Sequence, residues 1–139
     1  MDRYIVDTNI LVQFATEQDF TDDVRYLLYY SGAQIYVCSA SILELINLLQ
    51  CEDVKLQKQK TVNVFNVFEF IEDTLGFTIK YIDKWHLKQL CKIDIVDKHT
   101  DPFDRIIIAQ AIKEKIPLIS SDKKFPKYRK TGLYFIPNY

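Results

Sequence analysis

The stretch RYIVDTNILVQFA, residues 3–15, changes its periodicity in the middle. RYIV (3–6) is a short apolar run of strand character, and beyond Asp7 the residues Ile10, Leu11 and Phe14 recur at helical spacing. The reading is a strand that hands over to a helix at an acid. Open α/β sheets hold their ligands in the crevice at the carboxyl ends of parallel strands, so an acid in this position is a candidate for chemistry as well as for capping. Three further acids hold similar positions: Glu44 follows the strand-like IYVCS (35–39), Asp104 opens the helix started by Pro102, and Asp122 follows PLIS (117–120).

The rest of the chain continues the alternation. Helices are predicted from about Asn9 to Thr16, from Thr21 to Tyr30 before Ser31-Gly32, and from near Ser41, where Ile42, Leu45, Ile46 and Leu49 form one apolar stripe. A richly apolar helix is predicted from Val62 to Leu75, closed by Gly76, with a face suited to dimerisation. FTIKYI (77–82) reads as a strand, Trp85–Lys92 as a short helix, Pro102–Lys115 as a strong one, and LYFI (133–136) as the last strand. Strands alternating with helices imply an α/β fold, three layers with a mainly parallel central sheet flanked by helices.

The 139 residues fit a single domain, 1–139, with no repeat or linker and no room for a second core. Hydrophobic residues at 48% and charged residues at 27% are ordinary for a soluble globular chain, and no apolar run approaches the roughly 20 residues that span a bilayer. The N-terminus MDRYIVDTN carries no secretion signal, and Cys38, Cys51 and Cys91 have no metal-binding spacing, so a cytoplasmic location with reduced, packing cysteines is expected. The scarce, isolated glycines exclude Gly-rich phosphate loops. Net charge is only −1, yet Lys123, Lys124, Lys127, Arg129 and Lys130 cluster after Asp122, a cationic rim able to hold a polyanion beside an acidic pocket.

Each acid also has a structural reading. Ser41-Ile-Leu-Glu44 matches a capping box, and Asp101-Pro-Phe-Asp104 places Asp at an N-cap, Pro at N1 and a second Asp in the first turn. Asp7 and Asp122 suit turns. Capping does not require all four at once, and clustered carboxylates repel one another unless a cation neutralises them. Hard oxygen donors without a His/Cys cluster point to Mg²⁺ or Mn²⁺, ions that polarise phosphate oxygens and activate water for phosphodiester hydrolysis. No Ser-His-Asp or Cys-His pattern competes, since His86 and His99 are the only histidines.

The words IVDTNIL (5–11), SASILEL (39–45), HTDPFDRIIIAQA (99–111) and LISSDKKF (118–125) together resemble the PIN-domain family, and most closely its VapC-type toxin ribonucleases. The resemblance spans the chain in the family's order; the HTDPFDR string is its most specific part. It implies a PIN-like fold and a metal-dependent endoribonuclease, the toxin half of a type II toxin–antitoxin pair. By it, Asp7, Glu44 and Asp104 match the family's metal-binding acids and Asp122 the variable fourth. Asp101 is either an outer ligand or, as its place before Pro102 favours, chiefly a helix cap. Thr8, Asn9 and Ser121 are expected to orient an acid or a phosphate, and Arg105 to contact phosphate or form a surface ion pair.

His99 is expected to make a structural hydrogen bond rather than act as general base, and Phe125 and Tyr128 to pack rather than stack a base. The family further implies an RNA substrate, a homodimer and an antitoxin partner whose tail blocks the acidic pocket. The competing expectations are a housekeeping RNA-processing or flap-type DNA nuclease, and a non-catalytic domain that keeps the fold. The chain departs from the family pattern at its end, YFIPNY, and in its Tyr/Phe-rich middle; neither departure touches the four acids.

Overall fold

A computed structural model describes residues 2–51 and 61–139. Five parallel strands, β1 (Arg3–Val6), β2 (Gln34–Cys38), β3 (Thr78–Lys80), β4 (Leu118–Ser120) and β5 (Phe135–Pro137), form one sheet in the order β3-β2-β1-β4-β5. The chain builds outward from β1 to one side, then returns to build outward on the other. The order therefore reverses between β1 and β4, and the crevice beyond their carboxyl ends is where such sheets admit a ligand.

Alternation along the strands divides the interior into two layers. Val6, Ile35, Val37 and Ile119 face one core with Ile10, Leu11, Val24, Leu45 and Ile71, whereas Ile5, Cys38 and Leu118 face the other with Ile107, Ile108, Phe125 and Tyr128. Helices α1 (Thr8–Ala15) and α2 (Asp22–Tyr29) cover the first face. Helix α3 (Ser39–Gln50) contributes to both, since Ala40 packs in the second core and Leu45 in the first. The short helix α4 (Val67–Glu69) adds Val67 to the first core, and α5 (Lys84–Leu90) and α6 (Pro102–Glu114) cover the second face. Among the described residues no helix is long and apolar enough to cross a membrane.

Two local features differ from the sequence expectation. Helix α3 starts at Ser39, not near Ser41, with Cys38 as an N-cap that makes no side-chain capping bond. Ser39 Oγ instead accepts from Ile82 N at 3.0 Å, and Ser41 Oγ is buried with no partner among the described residues, so the Ser41–Glu44 capping box does not form. Glu44 lies in the second turn, free to be held by another element.

The helix expected over 62–75 is the other case. Helical geometry begins only at α4 and widens at once into a π-helical turn over Phe70–Thr74, which Gly76 closes at φ +71°. Upstream, Asn66 Oδ1 accepts from Asn63 N at 2.7 Å, Asn63 Oδ1 accepts from Phe65 N at 2.9 Å, and Asn66 Nδ2 donates to Thr61 O. Asparagine side chains that satisfy nearby backbone groups give the chain a local alternative to the helix, and here the alternative prevails.

Candidate metal centre

Three elements deliver three acids to one point. Asp7 extends β1 by one residue and caps α1, its Oδ1 accepting from Thr8 N at 2.8 Å. Parallel register pairs Val6 with Val37 and with Ile119, so Asp7 emerges beside the ends of both β2 and β4. Glu44 projects from α3, and Asp104 from the first turn of α6. Asp7, Glu44 and Asp104 each offer an oxygen within 4.8 Å of the others.

The carboxylates are held by neutral donors. Thr8 Oγ1 donates to Glu44 Oε1 at 2.8 Å, tying the second turn of α3 to the start of α1. Ser120 Oγ donates to Asp7 Oδ2 at 2.8 Å, and Asn9 Nδ2 donates to the same oxygen at 3.2 Å. Asp104 Oδ2 meets His99 Nε2 at 2.9 Å, and His99 Nδ1 meets the Tyr128 hydroxyl at 2.7 Å. An ionised carboxylate only accepts, so the bond to Asp104 places a ring proton on Nε2, and Nδ1 and the Tyr128 hydroxyl share the second bond. His99 reaches Asp104 from a tight turn in which Asp97 and Lys98 both have positive φ and His99 N returns to Val96 O.

No lysine or arginine among the described residues pairs with the three acids. Burial pushes the Asp7 carboxyl up to about 7; the charges of Asp104 and Glu44 push the same way, against the hydrogen bonds from Ser120 and Thr8. Glu44 is raised by burial and then by Asp104 and Asp101. Asp104 is raised by burial, with Asp101 and Asp122 adding to it while His99 opposes. Three acids sharing a poorly solvated corner, with no cationic side chain among the described residues, favour proton uptake or a bound cation. All the converging donors are carboxylate oxygens, a set that suits Mg²⁺ or Mn²⁺ and not a thiolate-seeking metal.

The remaining candidates are placed around this centre in different ways. Asp101 is the N-cap of α6, its Oδ1 accepting from Phe103 N at 2.9 Å and from Asp104 N at 3.2 Å. Asp122 lies outside the three-acid cluster, at a turn where its Oδ1 accepts from Lys124 N. Ser121 turns from the acids to Gln13 Oε1 and Asn138 Nδ2. Arg105 points into the scaffold and donates from Nη2 to Ile93 O at 2.6 Å.

Of the basic residues, Lys127 pairs with Asp97, and Arg129 donates to Phe135 O while covering the Phe135 ring. Lys123 sits over the Tyr139 ring, and Lys130 is exposed. Lys124 and Lys127 line a cleft of about 410 Å³ that also includes His99 and Asp101, and Asp101 is shared with a second cleft of about 400 Å³ containing Glu44 and Asn47. The thiol of Cys38, in the core beside the site, is pushed up to about 11 by burial, while Cys51 and Cys91 are free and exposed. Phe125 and Tyr128 are fully buried.

Ser120 is the partner of Asp7 that the sequence alone does not reveal. The run LISS (118–121) does not say which serine faces the acid, but the parallel register does: with Val6 opposite Ile119, the next residue on each strand is Asp7 and Ser120.

The sequence matches the PIN domain profile over residues 4–131. No curated protein matches it. Among solved structures it is similar to VapBC2 from Rickettsia felis bound to a DNA fragment from their promoter, with TM-score 0.72 and 17% identity over 97% of this chain and 98% of that one. DNA-bound VapBC from Salmonella typhimurium gives TM-score 0.66 and 15% identity over 100% of both chains. VapBC-1 from nontypeable Haemophilus influenzae gives 0.65 and 16% over 97% of both. At these identities the likeness is one of fold, and the profile match over most of the length carries the family assignment: this chain belongs to the PIN domain family.

Proposed function

We propose that the protein is a Mg²⁺- or Mn²⁺-dependent endoribonuclease and the toxin component of a type II toxin–antitoxin pair, acting as one catalytic domain over residues 1–139. The observation that carries the chemistry is the convergence of Asp7, Glu44 and Asp104, with no cationic side chain among the described residues to neutralise them. Membership of the PIN domain family and the likeness of fold to VapBC proteins support the toxin reading.

In this reading Asp7, Glu44 and Asp104 hold the cation, and Asp122 supports a second ion or an ordered water. A divalent ion there supplies Lewis acidity toward a phosphate oxygen and lowers the pKa of a nucleophilic water. The protein's own part is positioning. Thr8 fixes Glu44, Ser120 and Asn9 fix Asp7, and His99 backed by Tyr128 fixes Asp104. Neighbours that hold metal ligands in this way act as positioning residues. Asp101 serves chiefly as the cap of α6 and adds negative charge at the mouth.

RNA would lie across the clefts that meet at Asp101, with Lys124 lining the first of them and Lys123, Lys127, Arg129 and Lys130 as further contributors. Unpaired bases and RNA shape would set the choice of target. A cytoplasmic homodimer, with the exposed Phe65 and Phe68 on its contact face, and a small antitoxin covering the acidic pocket complete the proposal.

The test is cleavage of single-stranded RNA with Mg²⁺ or Mn²⁺, compared with EDTA and with Asp7→Asn and Asp104→Asn proteins that retain the native circular-dichroism spectrum. Cleavage that needs the metal and both acids supports the reading; undiminished cleavage in EDTA refutes it. Growth arrest on expression, relieved by the product of an adjacent small gene, separates a toxin from a housekeeping nuclease.

A further inference from the structure

Helix α5 carries the chain's one tryptophan on its surface, and three lysines surround it. Trp85 is 55% exposed, with Lys88 Nζ 4.9 Å from its ring and the Nζ atoms of Lys84 and Lys113 each 5.7 Å away. An indole has two faces, so three ammonium groups cannot each occupy a face of their own. Lys84 sits moreover at the first position of the helix, where the dipole disfavours a cation. Stability alone does not call for this crowding.

Beside the ring lies a shallow cavity of about 420 Å³ lined by Trp85, Lys88, Gln89, Cys91, Lys92 and Lys113, with no carboxylate among them. Two acids adjacent in sequence to these lysines are otherwise engaged: Asp83 caps α5, and Glu114 accepts from His86 and lies near Lys80. Lys84 and Lys88 are four residues apart on one side of the helix, and Lys92, in the turn that follows it, lines the cavity together with Lys88.

We propose that Trp85 with Lys84, Lys88, Lys92 and Lys113 forms a second binding site for single-stranded RNA, one base stacking on the indole while the lysines hold the flanking phosphates. The ligand class rests on the ribonuclease reading of the acid site. A flat exposed ring amid point cations is the combination by which sequence-tolerant single-strand binding works, with stacking and phosphate neutralisation acting together. An acidic protein segment would use the lysines and leave the indole unmatched. A lipid surface would require further large apolar side chains around the ring, and the cavity is otherwise lined by Cys91, Gln89 and lysines.

The patch is distinct from the acid centre. Lys113 and Asp104 are nine residues apart on α6, hence about 13 Å along the axis and half a turn around it. A strand held at Trp85 would pass around the α5–α6 pair to reach the acids, so the patch anchors long RNA and takes no part in bond cleavage.

The sole tryptophan is its own reporter. Full-length Asp104→Asn protein in EDTA, which removes cleavage, is titrated with oligouridylate while Trp85 fluorescence is read. Saturable quenching is expected, weakening as salt rises. Lys88→Glu with Lys113→Glu should weaken binding at least tenfold and reduce the log–log salt slope by about 0.7 for each phosphate that the lysines no longer neutralise. Trp85→Ala, followed by anisotropy of end-labelled oligouridylate, should lose about tenfold.

Absence of quenching overturns the proposal, as does equal quenching by heparin, a polyanion without bases. Binding to anionic phospholipid vesicles in place of oligouridylate overturns it as well. Metal-dependent cleavage by the wild-type chain is read separately. Cleavage without quenching sinks this site alone, and quenching without cleavage sinks the ribonuclease reading alone.

Discussion

Replacing Asp7 by Asn should change how stability depends on pH. In the fold its carboxyl is raised from 3.8 to about 7, chiefly by burial. A group with a raised folded pKa adds stability that is fully present below the unfolded value and is lost as pH climbs through the folded one. Between these values the folded state binds more protons than the unfolded state, so unfolding free energy falls as pH rises, by at most about 1.4 kcal/mol per unit. A shift of roughly three units integrates to about 4 kcal/mol. Glu44 and Asp104 are raised too and add to the same slope.

Asp7→Asn removes the largest of these titrations. Its own cost, an amide facing the Asn9 and Ser120 donors, is about 1–3 kcal/mol and does not vary with pH in this range. The assay is urea denaturation in EDTA from about pH 5 to about pH 8. Wild type should lose stability across the window while the variant keeps only the shallower slope left by Glu44 and Asp104; saturating Mn²⁺ should restore the wild type increasingly as pH rises, because the ion binds the ionised acid. Parallel pH profiles for the two proteins in EDTA would refute the reasoning.

His99→Ala should lower Mn²⁺ affinity or cleavage by roughly 10- to 100-fold, the usual scale for a residue that holds a ligand, and Tyr128→Phe should act more weakly through His99; Mn²⁺ titration and cleavage rates check both. Ser120→Ala removes a bond that lowers the Asp7 pKa, so half-saturation with Mn²⁺ should move to higher pH, read by electron paramagnetic resonance of free Mn²⁺ across a pH series. Lys124→Ala should reduce the salt slope of RNA binding by about 0.7, whereas Arg129→Ala, which removes its bond and ring stacking to Phe135, should reduce the slope less and lower the melting temperature.

The layered fold is legible in the sequence because both of its periodicities are local. RYIV and the Ile10-Leu11-Phe14 stripe read directly as β1 and α1, and Pro102 after Asp101 marks the start of α6. The region before Gly76 is not legible in the same way. Its apolar spacing is helical, but Asn63 and Asn66 divert the backbone through bonds that hydrophobic periodicity does not register. Ser41 and Glu44 mislead for a related reason: the spacing fits a capping box, yet the helix already starts at Ser39, which receives Ile82 N from 43 residues along the chain. The acids can be picked out one by one from their positions at element ends. Their supports, Ser120 for Asp7 and His99 for Asp104, depend on register and on a positive-φ turn, which single-sequence patterns do not encode.

In the proposed site, capping and metal holding would draw on different atoms of Asp7, and this reconciles the two sequence readings. Asp7 gives Oδ1 to Thr8 N at the head of α1 and presents Oδ2 to Ser120 and Asn9 near the cluster. Asp101 uses Oδ1 for two backbone donors of α6, which fixes the first turn that carries Asp104. Glu44 does no capping; its bond is to Thr8 Oγ1, so its position depends on α1 being correctly started by Asp7. The cap at α1 is thus part of the geometry of the acid cluster, and the helix starts stabilise an arrangement that the carboxylate charges oppose. The pH slope of the metal-free protein measures that opposition directly.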